Sequence, residues 1–468
     1  MSDSLSIRPL RVAIIGGGFC GAMTAVHLLA AASAARPILI ALIDPAESPA
    51  RGVAYGTTRR EHLLNVEAGR MGAYHDDVEG LLRWMRRRDP SVSYHDYLSR
   101  CDYGEYVQEL FEQARGKTLA ADLSHVRARA IEIEPPIGVS GPVVQLSNGE
   151  QVNCDVVVLA SGHAPPATPG FVPPHVRDDP ARYVSNPWNS GVLDCIDCDA
   201  PLLIIGTGLT MIDVFMTLRS LGHRGAITAL SRHGWLPQRH ASMSTRRAGW
   251  IDRSRVASVR EVVQQVRARI ESTAERGETW REAIDGVRVD AAWIWARWSI
   301  DERQRFLRHA RALWDVHRHR VAPQLANEID AAIASAQLRT IAGRVTSVEA
   351  TATGLRVALR PRGGDGMVKS IEVAAMINCA GPQSDVRRVD DPLVQSLLAR
   401  GLIKPDELGL GIDTDEFGIV LNAAGRTQPW LLTLGTLRRA TLWESIAVPE
   451  LRVQAREVAA AILAARRA

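Results

Sequence analysis

Several stretches of the chain are apolar without alternation and stop abruptly at small or polar residues. Val12 to Ile15 runs into Gly16, Ile38 to Ile43 into Asp44, and Val156 to Ala160 into Ser161-Gly162. Leu202 to Ile205 runs into Gly206, Ala226 to Leu230 into Ser231, and Ala374-Ala-Met-Ile-Asn-Cys-Ala-Gly381 echoes the same ending. Short continuous runs of this kind read as strands of a parallel sheet covered on both faces. Elsewhere the period changes. Val126 to Val158 alternates and holds the hairpin signal Asn148-Gly149, and Thr340 to Ala380 alternates around a glycine-rich tip at Gly363 to Gly366. Helical patterning covers Ala22 to Ala35 and Ile212 to Leu221, with Gly222 as a stop. It also covers Val78 to Ala114, where Leu81, Leu82, Trp84 and Met85 have amphipathic spacing, and Val453 to Leu463. Strands alternating with helices predict an α/β chain.

Two of these strand ends carry glycine turns. In Arg11-Val-Ala-Ile-Ile-Gly-Gly-Gly-Phe-Cys-Gly21 a buried strand enters Gly16-x-Gly18-x-x-Gly21 and a helix follows. That order presents a helix N-terminus to a pyrophosphate, so Gly16, Gly18, Phe19, Cys20 and Gly21 are expected at a dinucleotide. Cys20 is also read as a small packing residue. Asp44 ends the next strand, at the spacing where a carboxylate receives the ribose hydroxyls of an adenine nucleotide. Far along the chain, Pro201-Leu-Leu-Ile-Ile-Gly-Thr-Gly-Leu-Thr-Met211 repeats the arrangement, with Gly206, Thr207, Gly208, Leu209 and Thr210 as the expected contacts. No acid closes its second strand; Ser231-Arg232 stands there instead. An acid would repel a 2′-phosphate, whereas Ser231 and Arg232 suit one. The two turns therefore predict a non-phosphorylated adenine dinucleotide at the first and NADP at the second. Between them lie Arg51-Gly-Val-Ala-Tyr-Gly56, His62-Leu-Leu-Asn-Val66 and Gly69-Arg-Met-Gly72, which read as loop folded over a ligand.

Trp235 to Ala336 differs in kind. It has long helical stretches, is net basic, and holds Trp280, Trp293, Trp295, Trp298 and Trp314. It reads as an added subdomain whose tryptophans are core, with one or two free to line a substrate cavity. Its basic character suggests an acidic or carboxylate-bearing substrate, with Arg246 and Arg247 as candidate contacts.

Composition narrows the class. At 468 residues, 46% hydrophobic and 23% charged, with a net charge of +4, the chain is sized for two or three soluble domains and gives no case for nucleic acid or membrane. Arginine greatly outnumbers the three lysines, Lys117, Lys369 and Lys404, as a coding bias would produce. No apolar run is long enough to span a bilayer, and Met1 to Leu10 does not resemble a signal peptide. Six scattered cysteines argue against a disulfide scaffold, and a cytoplasmic protein is expected. No metal site is expected: His317 and His319 lie close in sequence, but no carboxylate spacing completes a set.

The motifs together resemble the bacterial FAD-NAD(P)-binding flavoproteins, akin to the single-component class B flavin monooxygenases. The resemblance rests on Gly16-Gly-Gly-Phe-Cys-Gly21, Gly52-Val-Ala-Tyr-Gly56, His62-Leu-Leu-Asn-Val66, Gly206-Thr-Gly-Leu-Thr-Met-Ile-Asp213, Thr441-Leu-Trp-Glu-Ser445 and Val448-Pro-Glu450. It implies two Rossmann-like domains of the glutathione-reductase type with an inserted helical subdomain. FAD-binding parts are then expected at 1–190 and 379–468, NADP-binding parts at 191–235 and 339–378, and the helical cap at 236–338.

FAD and NADPH are the implied cofactors, with Gly162, Thr441, Leu442 and Trp443 added to the FAD contacts and a helix N-terminus near Gly435 to Glu444 facing the flavin's pyrimidine oxygen. The implied reaction is oxygenation of a small molecule by O2, through a C4a-(hydro)peroxyflavin shielded by retained NADP. N-oxygenation and hydroxylation are both open, and so is a homo-oligomer. Asn65 is the side chain expected near the flavin edge, against the alternative of an asparagine holding its own loop.

The chain departs from that pattern in three places. Tyr183-Val-Ser-Asn-Pro-Trp188 lacks the glycine and histidine of the Baeyer–Villiger fingerprint, Gly435-Thr436 replaces a Gly-Asp pair, and Met211 ends the second glycine turn. A rival reading uses Cys195-Ile-Asp-Cys198 as a redox dithiol, although Asp194, Asp197 and Asp199 would raise its thiol pKa values. A second rival is a non-catalytic FAD-binding protein.

Overall fold

A computed structural model describes residues 8–117, 120–241, 249–275, 277, 279–363 and 366–465. The chain opens with β1 (Leu10–Ile15), the helix Phe19–Ala31 and β2 (Ile38–Ile43). The expected helical stretch at Val78 to Ala114 is two helices, Gly80–Arg86 and Arg100–Arg115, separated by a segment containing Pro90. Ser99 caps the second by accepting from the Cys101 N–H. After β3 (Ala121–Val126) come β4 (Ala130–Glu134), β5 (Val143–Leu146) and β6 (Gln151–Asn153), a small antiparallel sheet whose β5–β6 turn carries Gly149 at φ 85°. Then β7 (Val156–Leu159) returns to the first sheet.

The chain next builds the second sheet from β8 (Tyr183–Val184), β9 (Leu202–Ile205), β10 (Ile227–Ser231), β11 (Leu338–Ala350), β12 (Leu355–Pro361), β13 (Lys369–Val373) and β14 (Ala375–Asn378). The helix Leu209–Ser220 links β9 to β10, and the helical block lies between β10 and β11. Finally β15 (Ile419–Leu421) and β16 (Thr427–Thr433) rejoin the first sheet, and the helix Val448–Ala465 packs on Phe19–Ala31.

The first sheet has the order β15-β16-β7-β1-β2-β3 and the second β13-β12-β11-β10-β9-β14-β8. Each is parallel at its centre, which accounts for the unbroken apolar runs: β1, β7, β9 and β14 are buried almost throughout. Register places the functional loops. Ile15 pairs with Ile43 and Leu159, and Leu159 with Thr433, so the residues after these strands gather at one edge. Ile205 likewise pairs with Leu230 and Asn378, bringing Gly206, Ser231 and Cys379 together. The result is two Rossmann-like units, each open at the carboxyl ends of its strands, where ligands bind in such sheets.

The block between β10 and β11 holds the helices Val259–Glu275, Trp280–Arg297, Ile300–His309, Arg311–Arg318 and Pro323–Ala334. Thr279 and Glu282 form a capping box that starts the second of these. Trp295 and Trp298 are core, packed with Phe306. Trp293 is partly buried against that core, with the guanidinium groups of Arg253 and Arg297 at 4.9 and 3.6 Å from its ring centre. Among the described residues, no helix is long and apolar enough to cross a membrane.

Candidate functional site

At the first turn Gly16 has φ 104°, and a Cβ there would lie 2.3 Å from the Ala160 carbonyl oxygen, so only glycine fits. Gly18 is the N-cap of Phe19–Ala31 and offers no capping side chain, and the first helical turn carries no acid. Its N–H groups are thus open to an anion, which fits a pyrophosphate. Gly52 packs against Gly18, where a Cβ would lie 2.9 Å from the Gly18 Cα, and covers the turn. Asp44 accepts from the Gly17 N–H at 2.6 Å and the Ala46 N–H at 2.8 Å. Those bonds use half of its four acceptor positions, and the rest suit ribose hydroxyls. Phe19 faces into the core. Cys20 is half-buried beside Gly435, and burial pushes its thiol up to about 12, out of reach of redox chemistry at neutral pH.

The second turn repeats this geometry. Gly206 has φ 114°, a Cβ there would meet the Cys379 carbonyl oxygen at 2.2 Å, and Gly208 is again an open N-cap ahead of Leu209 and Thr210. Thr207 donates within reach of both the Ser231 hydroxyl (2.9 Å) and the Trp235 carbonyl (2.6 Å), tying the turn to the end of β10. Arg232 is exposed there. His233 stacks on Trp235 at 4.4 Å and touches Arg362 from the end of β12. Burial and the two neighbouring guanidinium groups lower the His233 pKa, which leaves the ring neutral at neutral pH and the charge with the arginines.

The loop containing Asn65 joins the two units. His62 is buried, with Nδ1 3.0 Å from the Thr57 hydroxyl and Nε2 2.8 Å from that of Thr217 on the helix Leu209–Ser220. Burial lowers its pKa, so the ring is neutral at neutral pH. Arg100 makes a 2.9 Å ion pair with Asp213 on the same helix, with side chains only 17% and 4% exposed. Asn65 itself is half-buried, and its carbonyl accepts from His240 Nε2 at 2.9 Å. Trp188 sets its edge to the His62 ring at 5.9 Å. Arg100 carried no sequence signal of this role, because the pair joins residues 100 and 213.

Comparison with known proteins identifies part of this architecture. Residues 13–164 match the family model described as FAD-NAD(P)-binding. This segment is an FAD-NAD(P)-binding domain. No curated protein sequence matches the chain. Among solved structures, the chain is similar to the ornithine hydroxylase of Pseudomonas aeruginosa, with a TM-score of 0.64 at 15% identity over 97% of this chain and 99% of that one. It is also similar to the ornithine N-hydroxylase of Kutzneria sp. 744, a structure with reduced FAD, NADP+ and L-ornithine, with a TM-score of 0.63 at 16% identity over 98% and 100%. The bacillithiol disulfide reductase of Bacillus cereus gives 0.53 at 13% identity over 98% and 100%. At these identities the likeness shows a shared fold of two dinucleotide-binding units.

The matched segment contains the first turn, Asp44, Asn65 and Gly162; the chain as a whole takes FAD and a nicotinamide dinucleotide. Gly162 has φ 73°, faces open space, and accepts from the Thr436 hydroxyl at 2.5 Å. Beyond it, Gly435–Arg438 and Arg439–Leu442 are single short turns rather than one helix, and the Gly435 N–H is taken by Gln454 at 2.9 Å. Thr441 approaches the Thr414 hydroxyl at 3.2 Å, with Leu442 half-buried beside it. Trp443 turns toward the helical block, stacking on Trp295 at 4.9 Å and meeting Phe306 edge-on at 5.0 Å. Its φ of 57° is held by that packing and by the Trp295 N–H bound to the Ala440 carbonyl at 2.7 Å.

Cys195 and Cys198 are exposed free thiols. The Cys198 carbonyl accepts from Arg224 and Gly225, just ahead of β10, which places the pair at the amino ends of the strands. The glycine turn is at the other end, about 13 Å away along a four-residue strand. Arg246 and Arg247 lie outside the described residues. Among the described residues, no group of three or more His, Cys, Asp and Glu could hold a metal.

Proposed function

We propose that the chain is an FAD-containing, NADPH-dependent monooxygenase that oxygenates a small molecule with O2, by N-oxygenation or hydroxylation. The observation that carries this reading is the contrast between its two open glycine turns. Asp44 stands at the first, where a carboxylate suits ribose hydroxyls and repels a 2′-phosphate. Ser231 and Arg232, with Arg362 nearby, stand at the second, where fixed cations suit that phosphate. One seat therefore takes FAD and the other a phosphorylated nicotinamide cofactor. Likeness of fold to an ornithine N-hydroxylase holding FAD, NADP+ and its substrate supports the same division of labour.

When bound, the flavin accepts hydride and activates oxygen. The chain's own part is placement and exclusion of water. Asp44 and the Gly16–Gly21 turn hold the adenosine and pyrophosphate of FAD, while the second turn holds NADPH. The neutral His62 and the Arg100–Asp213 pair fix the helix Leu209–Ser220 against the Asn65 loop, and so fix the two cofactor seats relative to each other. Asn65 contributes its half-buried amide where that loop meets the helical block. The stack of Trp443 on Trp295 anchors the block to the segment following Gly435. The remote, exposed position of Cys195 and Cys198 gives the dithiol reading no support.

Anaerobic mixing with NADPH tests the proposal. Bleaching of the flavin absorbance near roughly 450 nm, followed on admission of oxygen by a new band that persists, is the expected result. Absence of bleaching would instead favour a non-catalytic flavoprotein. Reduction of the Arg232→Gln variant separates the seats: NADPH should lose about ten- to a hundredfold in apparent affinity while NADH is unaffected. Equal rates with NADH and NADPH in the unaltered protein would refute the phosphate assignment.

A further inference from the structure

The segment after β16 passes from the first glycine turn to the helical block. Gly435 lies against that turn, where a Cβ on it would come 3.1 Å from the Cys20 Sγ. Thr436 follows and donates to the Gly162 carbonyl at the end of β7. One short turn later stand two arginines that face opposite ways. Arg438 is 1% exposed and donates back to the Glu416 carbonyl at 2.8 Å, ahead of β15. Arg439 is half-buried on the other side, 4.5 Å from the centre of the Trp443 ring, and its charge reaches His163, the residue after Gly162.

Arg439 has no acid of its own. Asp315 and Glu444 are near enough to favour its charge, but Arg311 holds Asp315 at 3.4 Å, and Arg318 and the Trp314 N–H hold Glu444 at 3.1 and 3.0 Å. Among the described residues Arg439 makes no ion pair within 4 Å, and its Nε is buried without a hydrogen-bond partner. Burial and the Arg311 charge pull its pKa down to about 10, so it remains a cation at neutral pH. His163 is open on one side and crowded by protein on the others. Burial, then the Arg439 charge, push its ring down to about 4, so it is neutral and leaves the arginine uncompensated. An unpaired cation with a buried free donor lacks an anionic partner. The backbone offers no rival charge here. The Gly435 N–H is bound to Gln454, and the two short turns present no open helix N-terminus.

We propose that Arg439 is the cation that faces the pyrimidine edge of the FAD ring and stabilises the ring when it is reduced. The proposal rests on FAD occupying the first seat, not on the monooxygenase reading. A pyrophosphate at the Gly16–Gly21 turn leaves the rest of FAD to run past Gly435 and Gly162, and Arg439 is a charged side chain next along that path. Hydride transfer from NADPH brings one hydrogen and two electrons to flavin N5. It leaves NADP+ and a reduced ring whose single negative charge is shared by N1 and the C2 carbonyl oxygen. Arg439 keeps its protons throughout and acts by its charge alone, which a site shielded from water makes stronger.

The test is the midpoint potential of the flavin in the FAD-loaded protein, read against reference dyes at one pH. Arg439→Gln should shift the equilibrium toward oxidised flavin about tenfold or more, a fall of about 30 mV or more for a two-electron couple. Arg439→Lys keeps the charge and should shift it less. An unchanged potential in Arg439→Gln would overturn the proposal. Equal shifts in the two variants would do the same, because they would trace the effect to lost packing on Trp443. A second measurement needs no variant and so does not depend on how the variants fold. The absorbance of the reduced flavin is followed as pH is lowered, beside free reduced FAD. The bound ring should take up its N1 proton at a lower pH than free FAD, and uptake at the same or a higher pH would overturn the proposal. Failure here is distinct from failure of the monooxygenase reading, which is decided by the band that follows admission of oxygen and not by the potential.

Discussion

Replacing Arg100 by Gln should destabilise the chain by an amount that depends on pH. Arg100 lies 2.9 Å from Asp213 across the contact between the Asn65 loop and the helix Leu209–Ser220, and Asp213 is almost wholly buried. Burial pushes the Asp213 carboxyl up, while the charge of Arg100 pulls it down. Removing the cation leaves a buried carboxylate uncompensated, a loss of about 3–5 kcal/mol for a pair of this kind. A raised folded-state pKa means that the folded protein binds the proton more readily than the unfolded chain does. Stability then falls as pH rises from the unfolded value toward the folded one. Without Arg100 that folded value moves higher still. The deficit of Arg100→Gln should therefore be full near about pH 7.5 and smaller near about pH 5.5, as Asp213 takes up a proton. Urea titrations at the two pH values measure it, and Arg100→Gln/Asp213→Asn should recover part of the loss. A deficit that is the same at both pH values, or no recovery in the double variant, would show that Asp213 does not depend on Arg100 for its charge.

Asp44→Ala removes the acceptor of the Gly17 and Ala46 N–H groups along with the expected ribose partner. Its affinity for FAD should fall about ten- to a hundredfold, as charged hydrogen bonds are worth, when apoprotein is titrated with flavin and quenching is followed. Asp44→Asn, which keeps one acceptor oxygen, should lose less, and unchanged affinity in both would remove Asp44 from the site. Cys195→Ser/Cys198→Ser should be reduced by NADPH at the unaltered rate, since both thiols are exposed at the far end of the second sheet. A large loss in rate would revive the dithiol reading.

The α/β class and both nucleotide-binding turns were legible because each is set locally. A continuous apolar run means burial on two faces, and a glycine before a helix means a backbone that side chains would block. The helices at Phe19 and Leu209 begin within the turns, a few residues earlier than the apolar pattern alone places them, because Gly18 and Gly208 act as N-caps. The segment from Gly435 to Glu444 was harder to read. Its residues have helical composition, yet the Gly435 N–H bonds to Gln454 and the chain breaks into two short turns.

Sequence alone thus determined two dinucleotide turns, the acid at one and the arginine at the other, since each depends on residues close along the chain or one strand apart. Tertiary structure decided what stands around them. Whether Trp443 faces a cofactor or Trp295, whether Arg100 is solvated or bound to Asp213, and whether Arg439 stands near His163 are matters of contact between residues far apart in sequence. No period or propensity carries that information, because such contacts form only when separately folded layers are packed together.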